Sequence, residues 1–515
     1  MFRHVLTVGA WTALSRVLGF VRDIAIAARL GAGLEADAFF VALKLPNFFR
    51  RLFGEGAFAA AFVPLFAGAL AGEGREAARR VAEGALAVMI AALAALTLLA
   101  IVFMPQAMTV LAPGFVDEPE RFGLAVELTR ITFPYLLLIS VVALLSGVLN
   151  GLDRFAAAAA APVLFNLCLI AGMFAAPRLG IGGSQGLAWG VAAAGVAQLL
   201  LVAAAVALAG MPLALPPPRL TPEVRVLLTR MIPGSIGAGV TQINLMVDVM
   251  IASLLPEGAI AFLYYADRVA QLPLGVIGTA VGTALLPALS RQVRAGEAGR
   301  AAATQNRAIE LALLLTLPAA AALVAAALPI VSVLFERGAF GAEASAATAR
   351  ALAAYGAGLP AFVLVKVFAP GFFARGDTAT PVKVAIACVA LNLALNLALI
   401  RPLGHVGIAL ATSLAAWANA ASLAVLLARQ GRWRWDSRLV ARAGRIALAA
   451  VLMGVALWAA RAAVVDGLLA LRHWRWAALA GLIGAGAATY AALALALRAA
   501  DLGELKAYLR RRGAR

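Results

Sequence analysis

The sequence predicts an all-α polytopic membrane protein, and three observations carry that prediction. Of 515 residues, 63% are hydrophobic and only 13% charged, with mean hydropathy +0.95. No soluble domain has that balance. Apolar runs of about 20 residues, the length that crosses a bilayer, recur along the whole chain. Gly, Pro and charge clusters punctuate them as short loops.

Taken in order, the runs give fourteen transmembrane helices near 5–30, 34–66, 81–111, 123–149, 158–177, 185–210, 223–255, 260–289, 306–335, 345–373, 381–400, 404–428, 440–464 and 474–498. The first has no clean apolar core of the kind a cleavable signal peptide needs, because Arg16 and Arg22 interrupt it. The second is broken at Pro46, with Gly54 and Gly56 close behind. A broken helix is tolerated where its freed backbone groups face protein or water.

The formal net charge is +18, and short loops place it. Arg75, Arg79 and Arg80, then Arg219 and Arg225, then Arg291, Arg294 and Arg300 fall in alternate connections. So do Arg375 and Lys383, the arginines from Arg429 to Arg442, and the tail with Lys506, Arg510, Arg511, Arg512 and Arg515. The opposite loops are acidic or lack cations, as near Asp117, Glu118, Glu120 and Glu257. The positive-inside rule then puts both termini in the cytoplasm, which an even number of spans satisfies.

The chain also repeats itself. The stretch around Pro64 resembles that around Pro287, and FPYLLL at Pro134 resembles LPAFVL at Pro360. The two pairs are 223 and 226 residues apart. Such an offset covers six spans, so the halves share an orientation. Two parallel six-helix lobes, 1–215 and 216–430, are expected to have a central substrate site between them. A two-helix extension and basic cytoplasmic tail, 431–515, follow, and Pro217 and Pro218 mark the linker between lobes.

Function shows most in residues 15–55. Arg16, Arg22, Arg29, Lys44, Arg50 and Arg51 outnumber Asp23, Glu35, Asp37 and Glu55 within an apolar background. Each ionisable group at bilayer depth costs roughly 2.5–3.5 kcal/mol on insertion scales. Local salt bridges absorb some of the set but not its cationic surplus. Arginine offers a planar fork suited to phosphate oxygens, so an anionic substrate, a phosphate or pyrophosphate, is favoured. Arg268 adds a further cation about 12 Å into the eighth span at 1.5 Å per residue. The plain alternative for it is a local pair with Asp267.

Other features carry less. Asp248 on the seventh span, Asn392 and Asn396 on the eleventh and Thr412 on the twelfth are candidates for a monovalent cation site. Amides in membrane helices are more often packing glue. Trp433, Trp435, Trp474 and Trp476 alternate with arginine at span ends and read as an interfacial belt, or as a lipid-facing groove for a prenyl chain. Cys168 and Cys388 lie in apolar runs and His4, His405 and His473 are scattered, so neither a disulfide framework nor a metal centre is indicated. No phosphate-binding loop, zinc-protease motif or hydrolase elbow occurs, which argues against an enzyme. Basic stretches that abut membrane spans argue against nucleic acid.

Long motifs then give a resemblance. SRVLGFVRD (15–23), DAFFVALKLPNFFRRLFGEGAF (37–58), APGF (112–115), ITFPYLLLIS (131–140), YYADR (264–268) and VKVFAPGFFARGDTATPVK (365–383) occur in order. In these the chain resembles the MurJ/MviN lipid II flippases of the multidrug/oligosaccharidyl-lipid/polysaccharide exporter superfamily. The resemblance implies fourteen helices in two lobes plus an extension. It implies export of the undecaprenyl-pyrophosphate-linked disaccharide pentapeptide, lipid II, across the bacterial inner membrane. Membrane lipids and the cell-wall synthesis machinery are the implied partners. The family's important charges fall on Arg16, Arg22, Asp37, Arg50 and Arg268, and Ser15, Asp23, Lys44, Asn47 and Glu55 lie in the same motifs. No cofactor is implied beyond a monovalent cation and the membrane potential. Asp37 is expected to act with Arg22, because the first two spans are antiparallel neighbours joined near Gly31–Gly33 and both side chains lie toward their outer ends. The alternatives are another exporter of the superfamily, either an O-antigen-type lipid-sugar flippase or a drug/cation antiporter, and a structural scaffold. A drug antiporter calls for an anionic cavity, and a scaffold leaves the buried arginines unexplained.

Overall fold

Helices α1 (Phe2–Leu30), α2 (Leu34–Phe49), α3 (Ala57–Gly72) and α4 (Arg75–Val102) open the chain in a computed structural model that describes residues 2–51, 57–461 and 474–500. Glu55 with the Gly54 and Gly56 break, His473 and the basic tail from Lys506 lie outside the described residues. There follow α5 (Met104–Leu111), α6 (Pro119–Thr132), α7 (Tyr135–Gly151), α8 (Ala156–Ala175), α9 (Gly183–Leu208) and α10 (Pro222–Ala252). The rest is α11 (Ala259–Arg294), α12 (Ala298–Ala325), α13 (Ala327–Phe335), α14 (Ala342–Phe373), α15 (Ala379–Leu403), α16 (His405–Arg429), α17 (Ser437–Ala460) and α18 (Arg475–Ala496). Among the described residues there is no strand, only an isolated bridge between Arg337 and Phe340.

Prolines explain several breaks. Pro105 sits in the first turn of α5 and Pro134 separates α6 from α7, because proline lacks the N–H that would continue the ladder. Thr221 opens α10 by accepting from Val224 N at 3.4 Å, with Pro222 behind it. Asp436 does the same for α17 through Leu439 N at 2.6 Å. Both are N-cap side chains satisfying amides that no helical carbonyl reaches. Among the described residues, ten helices are long and apolar enough to cross a membrane, α6 and α7 being counted together. They do not include α1, α2 and α11, which carry Arg16, Arg22, Asp37 and Arg268.

The turns repeat. Five pairs of residues hold φ in the left-handed region: Gly31 and Gly258, Gly74 and Gly296, Asp153 and Gly376, Gly180 and Gly404, Gly210 and Gly431. Their separations are 227, 222, 223, 224 and 221 residues. These offsets match the 223 and 226 of the two sequence pairs, so a duplication is written in the backbone as well as in the residues.

By packing, the chain forms two compact units: Met1–Ala261 with Arg337–Phe340, and Phe262–Glu336 with the chain from Gly341 onward. In the first unit Phe58, Phe62 and Phe66, four apart on α3, stack with centroids 5.2 and 5.7 Å apart. They fill a groove that α7 leaves at Gly147 and Gly151, where an added Cβ would lie 2.9 Å from Phe62 and 2.6 Å from Phe66. Helices α8 and α9 touch backbone to backbone at Gly172, Gly186 and Gly190, the small-residue contact of membrane helices. Gly190→Val puts Cβ 2.8 Å from the Cys168 carbonyl oxygen, and backbone cannot rotate away. Overpacking of that kind costs about 1–3 kcal/mol, so a lowered melting temperature in detergent is expected.

Residues 337–340 cross the end of α1. Ala339 N donates to Ala28 O at 2.9 Å. Gly338 has φ 58° and an added Cβ there would meet Ala28 O at 2.2 Å. Only glycine serves both demands.

In the second unit α12 is tied to the approach to α17. Trp433 is 1% exposed, donates from Nε1 to Asn306 Oδ1 at 2.6 Å and packs edge-on against Phe368. It is therefore core, not part of an interfacial belt, because Asn306 gives its N–H a partner inside the protein. Trp435, Trp474 and Trp476 are exposed. Beside Trp433, Arg307 pairs with Glu310 and, at 2.7 Å, with Asp436.

Candidate functional site

The sequence puts Arg22 and Asp23 side by side on α1, and both are buried, at 7% and 2% exposure. Arg22 Nε and Nη2 donate to Asp23 Oδ1 at 3.0 and 2.6 Å, and Nη1 donates to Asn166 Oδ1 on α8 at 3.0 Å. Asn166 Nδ2 donates in turn to Ser15 O at 3.0 Å. The result is a guanidinium aimed by an acid and an amide. Two turns earlier on α1, Arg16 is exposed, and neither an ion pair nor a hydrogen bond of its side chain occurs among the described residues.

On α2, Arg50 Nε donates to Asn47 Oδ1 at 3.2 Å, and Lys44 is half-buried. The acids at the start of this helix look elsewhere. Glu35 Oε2 accepts from Ser184 N at 3.1 Å, in the first turn of α9. Asp37 has no exposed surface. Its Oδ2 accepts from Arg121 Nη2 at 2.6 Å and from Gly258 N at 2.8 Å, and its Oδ1 accepts from Ala261 N at 2.8 Å. Both carboxylates thus cap the amide end of another helix, where unsatisfied N–H groups and the helix dipole favour negative charge.

The expected pairing of Asp37 with Arg22 is therefore corrected. Asp37 does act with an arginine, but it is Arg121, on the first turn of α6. Arg121 escapes a reading of the sequence because it follows Glu118 and Glu120 in an acidic stretch and looks like local charge balance. Asn166 escapes it because a single amide in an apolar helix carries no spacing signal. Lys366 on α14 is a further cation that the sequence reading did not single out. It lies across α11, where a Cβ at Gly278 would come within 2.9 Å of its Nζ.

In the second unit Arg268 donates from Nε and Nη2 to Tyr264 Oη at 3.1 and 3.0 Å, one turn back on α11. Asp267 accepts from Gln271. The cation candidates divide. Asn396 Nδ2 donates to Asn392 Oδ1 at 3.0 Å, and Asn392 Nδ2 donates to Thr412 Oγ1 at 3.4 Å. That chain joins α15 to α16 and matches amide packing. Asp248 is half-buried on α10, in the first unit. No group of three or more His, Cys, Asp or Glu that could hold a metal occurs among the described residues.

Comparison with known proteins places the chain in a family. The family model described as "Lipid II flippase MurJ" matches residues 26–472. A "Probable lipid II flippase MurJ" of Rhizobium meliloti (strain 1021) is 46% identical over 521 residues, covering 99% of this chain and 96% of that protein. A "Lipid II flippase MurJ" of Burkholderia cenocepacia is 37% identical, covering 89% of this chain and 90% of its own. A solved structure, "Lipid II flippase MurJ, inward closed conformation", superposes with TM-score 0.79 at 25% identity, over 96% of this chain and 99% of that one. An inward-facing multidrug resistance MATE family transporter of the MOP superfamily shares the fold, with TM-score 0.68 at 15% identity over 83% of this chain and 98% of that one. With a family model spanning most of its length and relatives well above a third identical, the chain belongs to the MurJ lipid II flippase family.

Proposed function

We propose that this chain flips lipid II from the cytoplasmic to the periplasmic leaflet by alternating access, its cationic cluster opening to one side and then the other. The observation that carries the reading is Arg22: a buried guanidinium on α1, oriented by Asp23 and Asn166. Arg16, Arg22, Arg50 and Arg268 bind the pyrophosphate, the doubly charged group that arginine forks suit. The prenyl tail stays in lipid, along α17 and α18. Fourteen membrane helices, in lobes 1–215 and 216–430 with 431–515 as an extension, are the architecture this reading takes, in the inner membrane with both termini cytoplasmic. Membrane potential contributes to the stroke at roughly 2.3 kcal/mol per charge per 100 mV. The test is complementation. A bacterium depleted of its own lipid II flippase is expected to keep its shape and grow when this chain is supplied, and lysis despite normal membrane levels overturns the reading.

A further inference from the structure

We infer that Arg121 is a positioning residue for transport: it holds the Asp37 carboxylate on the amides that open α11. The inference rests on the transporter reading above. Arg121 has no exposed surface. Its Nη2 bonds Asp37, its Nη1 lies 3.4 Å from both Glu118 carboxylate oxygens, and its Cζ stands 4.0 Å over the Phe115 ring. Phe115, Glu118 and the start of α2 thus meet on one guanidinium, and the start of α11 meets the Asp37 carboxylate that it holds.

Two features speak against a role in stability alone. A buried ion pair is often replaceable by apolar side chains without loss of stability. And Arg121 Nε is buried with no hydrogen-bond partner among the described residues, which costs desolvation that a purely structural arginine would be placed to recover. What the pair does fix is direction. Asp37 Oδ2 is shared between Arg121 and Gly258 N, which leaves Oδ1 for Ala261 N. The chain leaves the first compact unit at Ala261. Arg268 follows seven residues later on the same helix, about 10 Å along its axis. Arg121 therefore sets, through Asp37, where the helix bearing Arg268 begins.

The test uses the full chain in membranes with Cys168 and Cys388 replaced. One reporter is Ile260→Cys, at 3% exposure in the first turn of α11; the control is Ala188→Cys, at 0% on α9. Arg121→Met is expected to lower transport more than about tenfold at normal membrane levels. Labelling of Ile260→Cys by an impermeant maleimide should rise by a similar factor while Ala188→Cys stays protected. Arg121→Lys, which keeps the charge, should restore much of both. The double variant Asp37→Asn/Arg121→Met removes both charges and is expected to reach the membrane at normal levels yet stay inactive. Wild-type transport by Arg121→Met overturns the inference. So does equal labelling of both cysteines, or recovered transport in the double variant, since each means that Arg121 only balances a buried charge. Failure of the unmodified chain to move lipid II would strike the functional reading instead, and leaves the labelling result legible.

Discussion

Replacing Arg22 and Asp23 together, as Arg22→Met/Asp23→Asn, is expected to abolish flipping while leaving the protein inserted and folded. The pair must be treated as a unit. Arg22→Ala alone breaks the buried pair with Asp23, itself 2% exposed, at a cost of about 3–5 kcal/mol. That variant would lose transport for two reasons at once. The double variant removes both charges, so the fold is spared the penalty while the anion site loses its aimed guanidinium. Losing a charge-assisted contact of this kind costs about 2–5 kcal/mol, or about 30-fold or more in rate. Arg22→Lys keeps the charge but cannot reach Asp23 and Asn166 with one planar group, and should fall between. The triple variant Arg16→Ala/Arg22→Ala/Arg268→Ala should be inactive outright. Full transport by the well-expressed Arg22→Met/Asp23→Asn protein, read as lipid II reaching the outer leaflet, removes the pyrophosphate role.

The second large effect is expected at Asp37. Asp37→Asn conserves shape but replaces one acceptor oxygen with a donor. Every neighbour of that carboxylate is itself a donor: Arg121 Nη2, Gly258 N and Ala261 N. Whichever way the amide turns, donor faces donor. Arg121, with no exposed surface, is left without its close carboxylate and without access to water. The cost is again about 3–5 kcal/mol, so Asp37→Asn should lose transport and melt at lower temperature. Asp37→Glu keeps the charge but adds a methylene to filled space, at about 1–3 kcal/mol, and should retain part of the activity. Transport and a detergent melting curve measured together decide the matter. If Asp37→Asn matches the unmodified protein in both, Asp37 is a bystander.

How far the sequence carried is clearest from particular residues. Apolar run length marks the helices, but the break expected at Pro46 does not fall there. Helix α2 runs through that proline to Phe49, since a proline so near a helix end removes only one N–H. The breaks at Pro105 and Pro134 lie inside runs that read as single spans. The offset between repeated motifs recurs in the left-handed turns for a similarly local reason. The arginines of α1 were conspicuous, since charge is costly at membrane depth wherever it ends up. Partners were not legible. Asp37 is 84 residues from Arg121, and Arg22 is 144 from Asn166. Nothing in spacing distinguishes those long-range choices from the nearer one between Asp37 and Arg22. Trp433 misled for the same reason, because a tryptophan among arginines looks interfacial until Asn306 is placed against it. The sequence reports what each group needs, and only packing reports who supplies it.

The account turns on whether an aimed arginine in this chain moves lipid II. The direct measurement is the fraction of lipid II reachable from the outer face of a flippase-depleted bacterium after induction of this chain, compared with Arg22→Met/Asp23→Asn at matched membrane levels. The account predicts that the fraction rises with the unmodified chain and stays at the depleted level with the double variant. No rise with the unmodified chain, or an equal rise with both, would contradict it.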